Sequence, residues 1–404
     1  MIILKDKTIT DVPGFTSSGI HSGLKKNKKD LCVIFSEVPA TSAGVFTKNK
    51  VQAAPVVLDI ETIKHEKSQA IVVNSGNANA CTGEQGLENA KFMAQKTAQC
   101  LGIDEKSVLV SSTGIIGVQL PMDKISSGIE KACSSLSVDG GDDSAHAIMT
   151  TDSYTKQIAV QFEIDGKDIF IGGIAKGSGM IHPNMGTMLS FITTNISIEK
   201  DMLSNMLKDS IEDSYNMISV DGDTSTNDTV IILANGLAGN KAVSKEDDSY
   251  HKFKEALDYV NKELSKMIAA DGEGATKLIE AHVLNAPSKE EAKLCAKSVI
   301  TSSLVKAAFF GNNSNWGRIL CALGYSGAEI VPDKVAIFFK DDSDSIQIAE
   351  NGIGIDFDED KAQKIMKSGH VIITIDLKMG DYSATAWGCD LSYDYIKVNA
   401  MYKS

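Results

Sequence analysis

The tightest constraint on this chain is the spacing of two strand-like runs near its middle. DIFIGGIAKGSG (168–179) and MLSFITTNISI (188–198) are apolar and rich in β-branched residues, and only MIHPNMGT (180–187) separates them. A linker between independently folded halves is normally more exposed and more polar. Two strands that nearly abut belong instead to one folded core. Within the short polar stretch, Gly186 admits a strained backbone or a close approach, and Thr187 carries a hydroxyl. Taken alone, the pair reads as a turn. The second reading is a bond that the chain cuts itself, inside a folded core. An internal threonine hydroxyl is a poor nucleophile, and no base for it is visible in the sequence. Cleavage before Thr187 frees an α-amine with a reference pKa of about 7.7, within reach of its own Oγ. That is a known way to activate threonine for acyl transfer.

Strand and helix patterns alternate along the rest of the chain. QAIVVNSGNANAC followed by GLENAKFMAQKTAQCLG reads as strand, Asn/Gly loop, helix, and SVLVSSTGIIGV (107–118) as a strand running into a small-residue loop. QIAVQFEI (157–164), the turn DGK and the run from 168 predict a hairpin. Further on, TVIILANG, TKLIEAHV, AIFF and VIITID predict strands. Helices are predicted near EKDMLSNMLKDSIEDSY, around 247–269, and from a Ser288/Glu291 capping box through Phe309. The class is α/β, or mixed α+β.

Composition narrows the function. The 404 residues suggest two or three domains by length. A net charge of -13 with interspersed signs argues against nonspecific binding to nucleic acid or anionic lipid. Seven scattered cysteines without a CxxC give no disulfide framework and no zinc spacing. The start turns charged at once and no apolar run reaches about 18 residues, so a cytoplasmic chain that spans no membrane is expected.

Several groups invite a chemical reading beside a bland one. In SSTGIIG (111–117), Thr113 and Gly114 can present an oxyanion-binding loop or simply a tight turn. GGIAKGSG (172–179) lacks the phosphate-loop spacing, which leaves Lys176 to pair with a carboxylate or to lie exposed. DGDTSTND (221–228) sets Asp221, Asp223 and Asp228 close together, but the calcium-loop pattern fails and backbone-capping turns account for it better. Glu273 in DGEGATK can meet an amine substrate or cap a turn, and His182 can be a base or part of a structured turn. Arg318 in NNSNWGRI organises a carboxylate site or a packed aromatic turn. NSGNANACTG (74–83) suits a ligand-binding loop at a strand end.

Together these fragments resemble the ornithine acetyltransferase family of arginine biosynthesis, also called glutamate N-acetyltransferases (the ArgJ type). The resemblance runs nearly end to end. It rests on GFTSSGIHSGLK, AGVFTKN, VVNSGNANACTG, SSTGIIG, IAKGSGMIHPNMGTML, SVDGDTSTND, VKAAFFGNNSNWGRILCALGYSG and WGCDLSYDYIKVNAMYKS. It implies a multi-layer ArgJ/DmpA-like fold, self-cleaved between Gly186 and Thr187 into interlocked pieces 1–186 and 187–404, with a dimer of such α–β units. It implies Thr187 as nucleophile, Thr113 and Gly114 as the oxyanion hole, and Thr150, Lys176, Thr187, Glu273, Asn399 and Ser404 as substrate contacts.

The implied reaction moves acetyl from N2-acetyl-L-ornithine to L-glutamate, with no metal and no organic cofactor, and with acetyl-CoA as a co-substrate in bifunctional members. The competing readings are a self-processing amidase or aminopeptidase, and a metabolite-binding protein that never matures. Three features depart from the family pattern. Gly186 stands where alanine is usual, Ser404 ends the chain where threonine is usual, and the neutral NNS precedes NWGR where an acidic segment is frequent.

Overall fold

The computed structural model describes residues 1–182 and 188–401. Its strands are β1 (Ile2–Leu4), β2 (Phe15–Ile20), β3 (Leu31–Phe46), β4 (Lys67–Asn77), β5 (Val108–Ile115), β6 (Lys156–Ile164), β7 (Lys167–Lys176), β8 (Leu189–Thr194), β9 (Ile218–Ser219), β10 (Thr229–Ala234), β11 (Leu278–Ala286), β12 (Ala336–Lys340), β13 (Ser345–Glu350), β14 (Ile353–Gly354), β15 (His370–Asp376) and β16 (Tyr382–Cys389). They form two sheets. The larger runs β1-β6-β7-β8-β10-β3-β4-β5, with β2 on β3, and the smaller runs β14-β13-β12-β15-β11-β16-β9.

The two runs that nearly abut in sequence are sheet neighbours. β7 and β8 pair antiparallel, with Lys176 opposite Leu189 and Ile171 opposite Thr194. β8 then pairs parallel with β10, and β10 antiparallel with β3. Two strands from beyond residue 187 are thus inserted between β7 and β3, which come from before it. Both are buried at every position, as LSFITT and TVIILA require at the centre of a sheet covered on both faces.

Period-two alternation distributes their side chains. Val230 and Ile232 face a core shared with Leu203, Met206 and Leu207 of the helix Lys200–Glu212 and with Phe253, Leu257 and Leu264 of the helix Asp248–Ala270. Ile231 and Leu233 face the other side, against Ala145 and Ile148 of the helix Gly141–Ile148. The long helix also touches the second sheet, whose Ile279, Ala281 and Val283 pack against the helix Lys289–Thr301.

The β6–β7 hairpin turns through Asp165 and Gly166, both at positive φ (54° and 70°), the geometry that matches strand twist. Three expectations change. β7 stops at Lys176, not Gly179, because the Gly177 N–H leaves the ladder to reach Asp152 Oδ1 at 2.7 Å. The helix expected through Phe309 is two helices, Lys289–Thr301 and Ser303–Phe310. Ser302 is extended (ψ 112°) between them, and its Oγ accepts the Val305 N–H. At the start of that segment only half of the capping box forms. Ser288 Oγ accepts the Glu291 N–H, while the Glu291 carboxylate turns to the Glu329 N–H. No described helix is long and apolar enough to cross a membrane.

Candidate active site

Parallel β4 and β5 bring two small-residue ends together. Gly114 has φ +134°, and a Cβ there would lie 2.4 Å from the Gly76 carbonyl carbon and 2.5 Å from Asn77 N. Only glycine permits both the conformation and the approach. The Asn227 side-chain amide then donates to the Ala78 and Ser112 carbonyls at 2.7 and 2.8 Å, pinning this end of the sheet to the 221–228 loop.

Lys176 closes β7 and is 5% exposed. Its Nζ reaches Thr113 Oγ1 at 3.4 Å. Burial lowers its pKa, with Asp152 opposing. The Asp152 carboxylate takes the Thr150 and Gly177 N–H groups and the Lys156 ammonium at 2.7 Å. Burial works against that charge, but the two neighbouring ammoniums and these hydrogen bonds hold the carboxyl well below the usual range. Lys156 is shared with Asp271 at 2.6 Å, at the end of the long helix.

That anchor delivers Glu273. Ser178 Oγ donates to the Asp271 carbonyl at 2.6 Å, and the Glu273 N–H donates to the Ser178 carbonyl at 2.9 Å. A Cβ on Gly179 would sit 2.4 Å from the Glu273 carboxyl carbon, so a glycine is what lets that carboxylate enter. Asn399 Nδ2 donates to Glu273 Oε2 at 2.8 Å from the helix Tyr393–Met401. Thr113, Gly114, Thr150, Lys176, Glu273 and Asn399 thereby line one cavity of about 160 Å³.

The chain leading towards 183–187 is clamped beside this cavity. Asp221 accepts the Met180 and Ile181 N–H groups at 2.6 and 2.9 Å, so this aspartate caps backbone. Burial raises its pKa against those bonds. His182 lies 3.1 Å from Ser219 Oγ, and burial with Lys297 lowers its pKa to about 4, so it is neutral at pH 7. Its carbonyl accepts the Thr224 hydroxyl, as a structured turn would. Arg318 takes no part in the cavity. Its guanidinium donates to the Leu304 carbonyl, beside a packed Trp316. Gly186, Thr187 and Ser404 lie outside the described residues.

The ArgJ family model matches residues 16–404. This chain belongs to the ArgJ family. It is 58% identical to the "Arginine biosynthesis bifunctional protein ArgJ 1" of Clostridium acetobutylicum, over 100% of this chain and 99% of that one. It is 55% identical to the ArgJ of Caldanaerobacter subterraneus, over 97% of each. Among solved structures it is similar to the ornithine acetyltransferase of Mycobacterium tuberculosis complexed with ornithine, at 37% identity over 45% of this chain and 97% of that chain, with a TM-score of 0.43.

Sequence reasoning on this ArgJ chain missed some of the cavity wall. Thr151, Met180 and Ser225 line it as well, and Lys25 stands close by, donating to the Met149 carbonyl. Burial lowers the Lys25 pKa to about 8. Lys25, Ser225 and Met180 lie in blocks already singled out, GFTSSGIHSGLK, DGDTSTND and IAKGSGMIHPNMGTML. No pattern marked Lys156, whose partners are 4 and 115 residues away.

Proposed function

We propose that this ArgJ-family enzyme transfers acetyl from N2-acetyl-L-ornithine to L-glutamate through an acetyl-threonine ester on Thr187. The observation that carries the reading is the convergence of Thr113, Gly114, Lys176 and Glu273 on one cavity, beside the chain that enters residues 183–187. Cleavage of the Gly186–Thr187 bond frees the α-amine. As Thr187 Oγ attacks the acetyl carbonyl, its proton passes to that amine and negative charge develops on the carbonyl oxygen. Thr113 Oγ accepts from Lys176, which leaves its own proton to donate to the oxyanion alongside the Gly114 N–H.

When the intermediate collapses, the C–N bond breaks, the leaving nitrogen takes the proton, and ornithine departs. The glutamate amine repeats the sequence in reverse and leaves as N-acetyl-L-glutamate. Glu273 attracts the ornithine side-chain ammonium, and Thr150, Asn399 and Ser404 complete the contacts. Acetyl-CoA acylates the same threonine in the second activity implied by the word "bifunctional" in the relatives' names. The working unit is a cytoplasmic dimer of cleaved α–β pairs, with no metal or organic cofactor in the reaction.

Denaturing mass spectrometry tests this directly. Purified protein should give two pieces, the second beginning TMLSFITT, and acetylornithine alone should add one acetyl group to that piece. An intact chain transferring acetyl at a normal rate defeats the reading, since the activating amine would never have formed. The oxyanion assignment has its own check. Thr113→Ala should be cleaved yet lose roughly 10²–10³-fold in kcat, with KM little changed. Near-normal turnover removes Thr113 from that role.

A further inference from the structure

Lys25 is a half-buried cation that forms no ion pair among the described residues. Its ammonium donates to the Met149 carbonyl at 2.5 Å and to the Lys29 carbonyl at 3.1 Å. Both acceptors are neutral, and an ammonium carries three N–H donors, so one is left over. Asp30, the acid of the same loop, is fully buried and spends its carboxylate on the backbone N–H groups of Ser22, Gly23 and Lys25. Burial draws the Lys25 pKa down only to about 8, which leaves it charged at pH 7. A cation drawn out of water with no anion beside it costs stability.

Its place gives the charge a use. The stem runs along Gly76, where an added Cβ would lie 3.2 Å from Lys25 Cγ, and Gly76 in turn abuts Gly114. The tip rests on the Met149 carbonyl, and standard bond lengths keep Nζ within about 5 Å of the Thr150 nitrogen. Gly114 and Thr150 both line the cavity. The corner is fixed by the Ser75 hydroxyl on the Ala147 carbonyl at 2.5 Å and by the Thr150 N–H on Asp152 Oδ2 at 2.9 Å. Among the described residues that line the cavity, Lys176 is the one cation, and its Nζ is turned to Thr113 Oγ1. Acetylornithine and glutamate differ at their side-chain ends but share a carboxylate on the carbon next to the reacting nitrogen. That group must arrive at the same place, beside the oxyanion loop, in both half-reactions.

We propose that Lys25 is a specificity residue for the amino-acid substrates: its free N–H meets the α-carboxylate of acetylornithine in the first half-reaction and that of glutamate in the second. The proposal rests on the acyl-transfer reading above. It divides the recognition in two, with Glu273 on the ornithine side-chain ammonium and Lys25 on the end that both substrates have in common.

Truncated substrates test it. Mono-N-acetylputrescine is acetylornithine without its carboxylate, and γ-aminobutyrate is glutamate without its α-carboxylate. Wild type should favour acetylornithine over N-acetylputrescine in kcat/KM by at least roughly 10–100-fold, the worth of a charged hydrogen bond. In the cleaved fraction of Lys25→Met that preference should shrink to about threefold or less, mainly through KM for acetylornithine, because the comparison isolates the lysine–carboxylate pair from any general defect. Glutamate against γ-aminobutyrate as acceptor should behave alike, and Lys25→Arg should keep most of both preferences. If Lys25→Met fails to fold or to be cut, Lys25→Gln, whose amide still donates to a carbonyl, carries the same comparison. A variant that loses the same factor on both donors would mean that Lys25 only holds the Met149 carbonyl. A wild type indifferent to the carboxylate needs no variant at all. Either result overturns the assignment. Failure of the acyl-transfer reading looks different, since wild type then takes no acetyl group from acetylornithine.

Discussion

Thr187→Ala is expected to purify as one 43.2 kDa chain and to lose acetyl transfer by roughly a million-fold in kcat. Under the mechanism proposed above the effect is large because one hydroxyl serves twice. In that proposal it attacks the Gly186 carbonyl of the precursor and gives an ester, whose hydrolysis frees the amine, and after the cut it attacks the acetyl group with that amine as base. Alanine would remove the nucleophile of both steps and so also prevent the base from forming. The fold should be unaffected, since β7, β8, β10 and β3 are paired in a chain that has not been cut. Circular dichroism and the thermal midpoint should match wild type. Thr187→Ser should keep a slower cut, and Gly186→Ala should cut at least as fast if backbone freedom is what limits it. An uncut alanine variant with measurable acetyl-enzyme would place the nucleophile elsewhere.

Interleaving also says what cleavage leaves in place. β8 and β10, from beyond residue 187, lie together between β7 and β3 in the middle of one sheet, and Phe191, Ile231 and Leu233 share a core with Phe15 and Ile34. The proposed break of one peptide bond would leave that burial and those ladders untouched, so the two pieces would stay assembled while Thr187 gained a free amine.

Much of this was legible in the sequence because the relevant forces are local. The β6–β7 hairpin followed from alternation and a DG turn. β8 and β10 followed from unbroken apolar runs, and Gly114 from the small-residue stretch around Thr113. The end of β7 and the break at Ser302 were misplaced because distant or side-chain partners compete with the backbone ladder there. Asp152 captures the Gly177 amide, and the Ser302 hydroxyl starts a new helix. Local pattern carries neither effect. The charged groups were harder still. Asp228 sits in a loop whose Asp/Thr/Asn content reads as ordinary turn chemistry, and Asp221 does serve that purpose. Only burial separates the two carboxylates, and burial is set by strands far away in sequence.

The largest stability effect should come from Lys156→Met. Lys156 is fully buried and joins Asp152 at 2.7 Å to Asp271 at 2.6 Å. Methionine keeps most of the stem and its packing but leaves two buried carboxylates short of a cation. Breaking a buried pair on one side typically costs about 3–5 kcal/mol, and denaturant melts at pH 7 should show a loss of that order. The pH dependence carries a definite sign. In wild type the Asp152 carboxyl is held below its unfolded value of about 3.9. Its contribution to stability is therefore complete above that pH and is lost as pH falls towards the folded value. Without Lys156 the balance moves towards burial, which favours the protonated acid. The gap between variant and wild type should then narrow as pH drops from 7 towards 5, since a neutral carboxyl no longer needs the missing ammonium. The same network holds the Gly177 amide and the helix end that leads to Glu273, so KM for acetylornithine should rise as well. A gap that stays constant across that pH range would mean that Lys156 acts through packing alone. A variant as stable as wild type would mean that Lys176 by itself can carry the charge of Asp152.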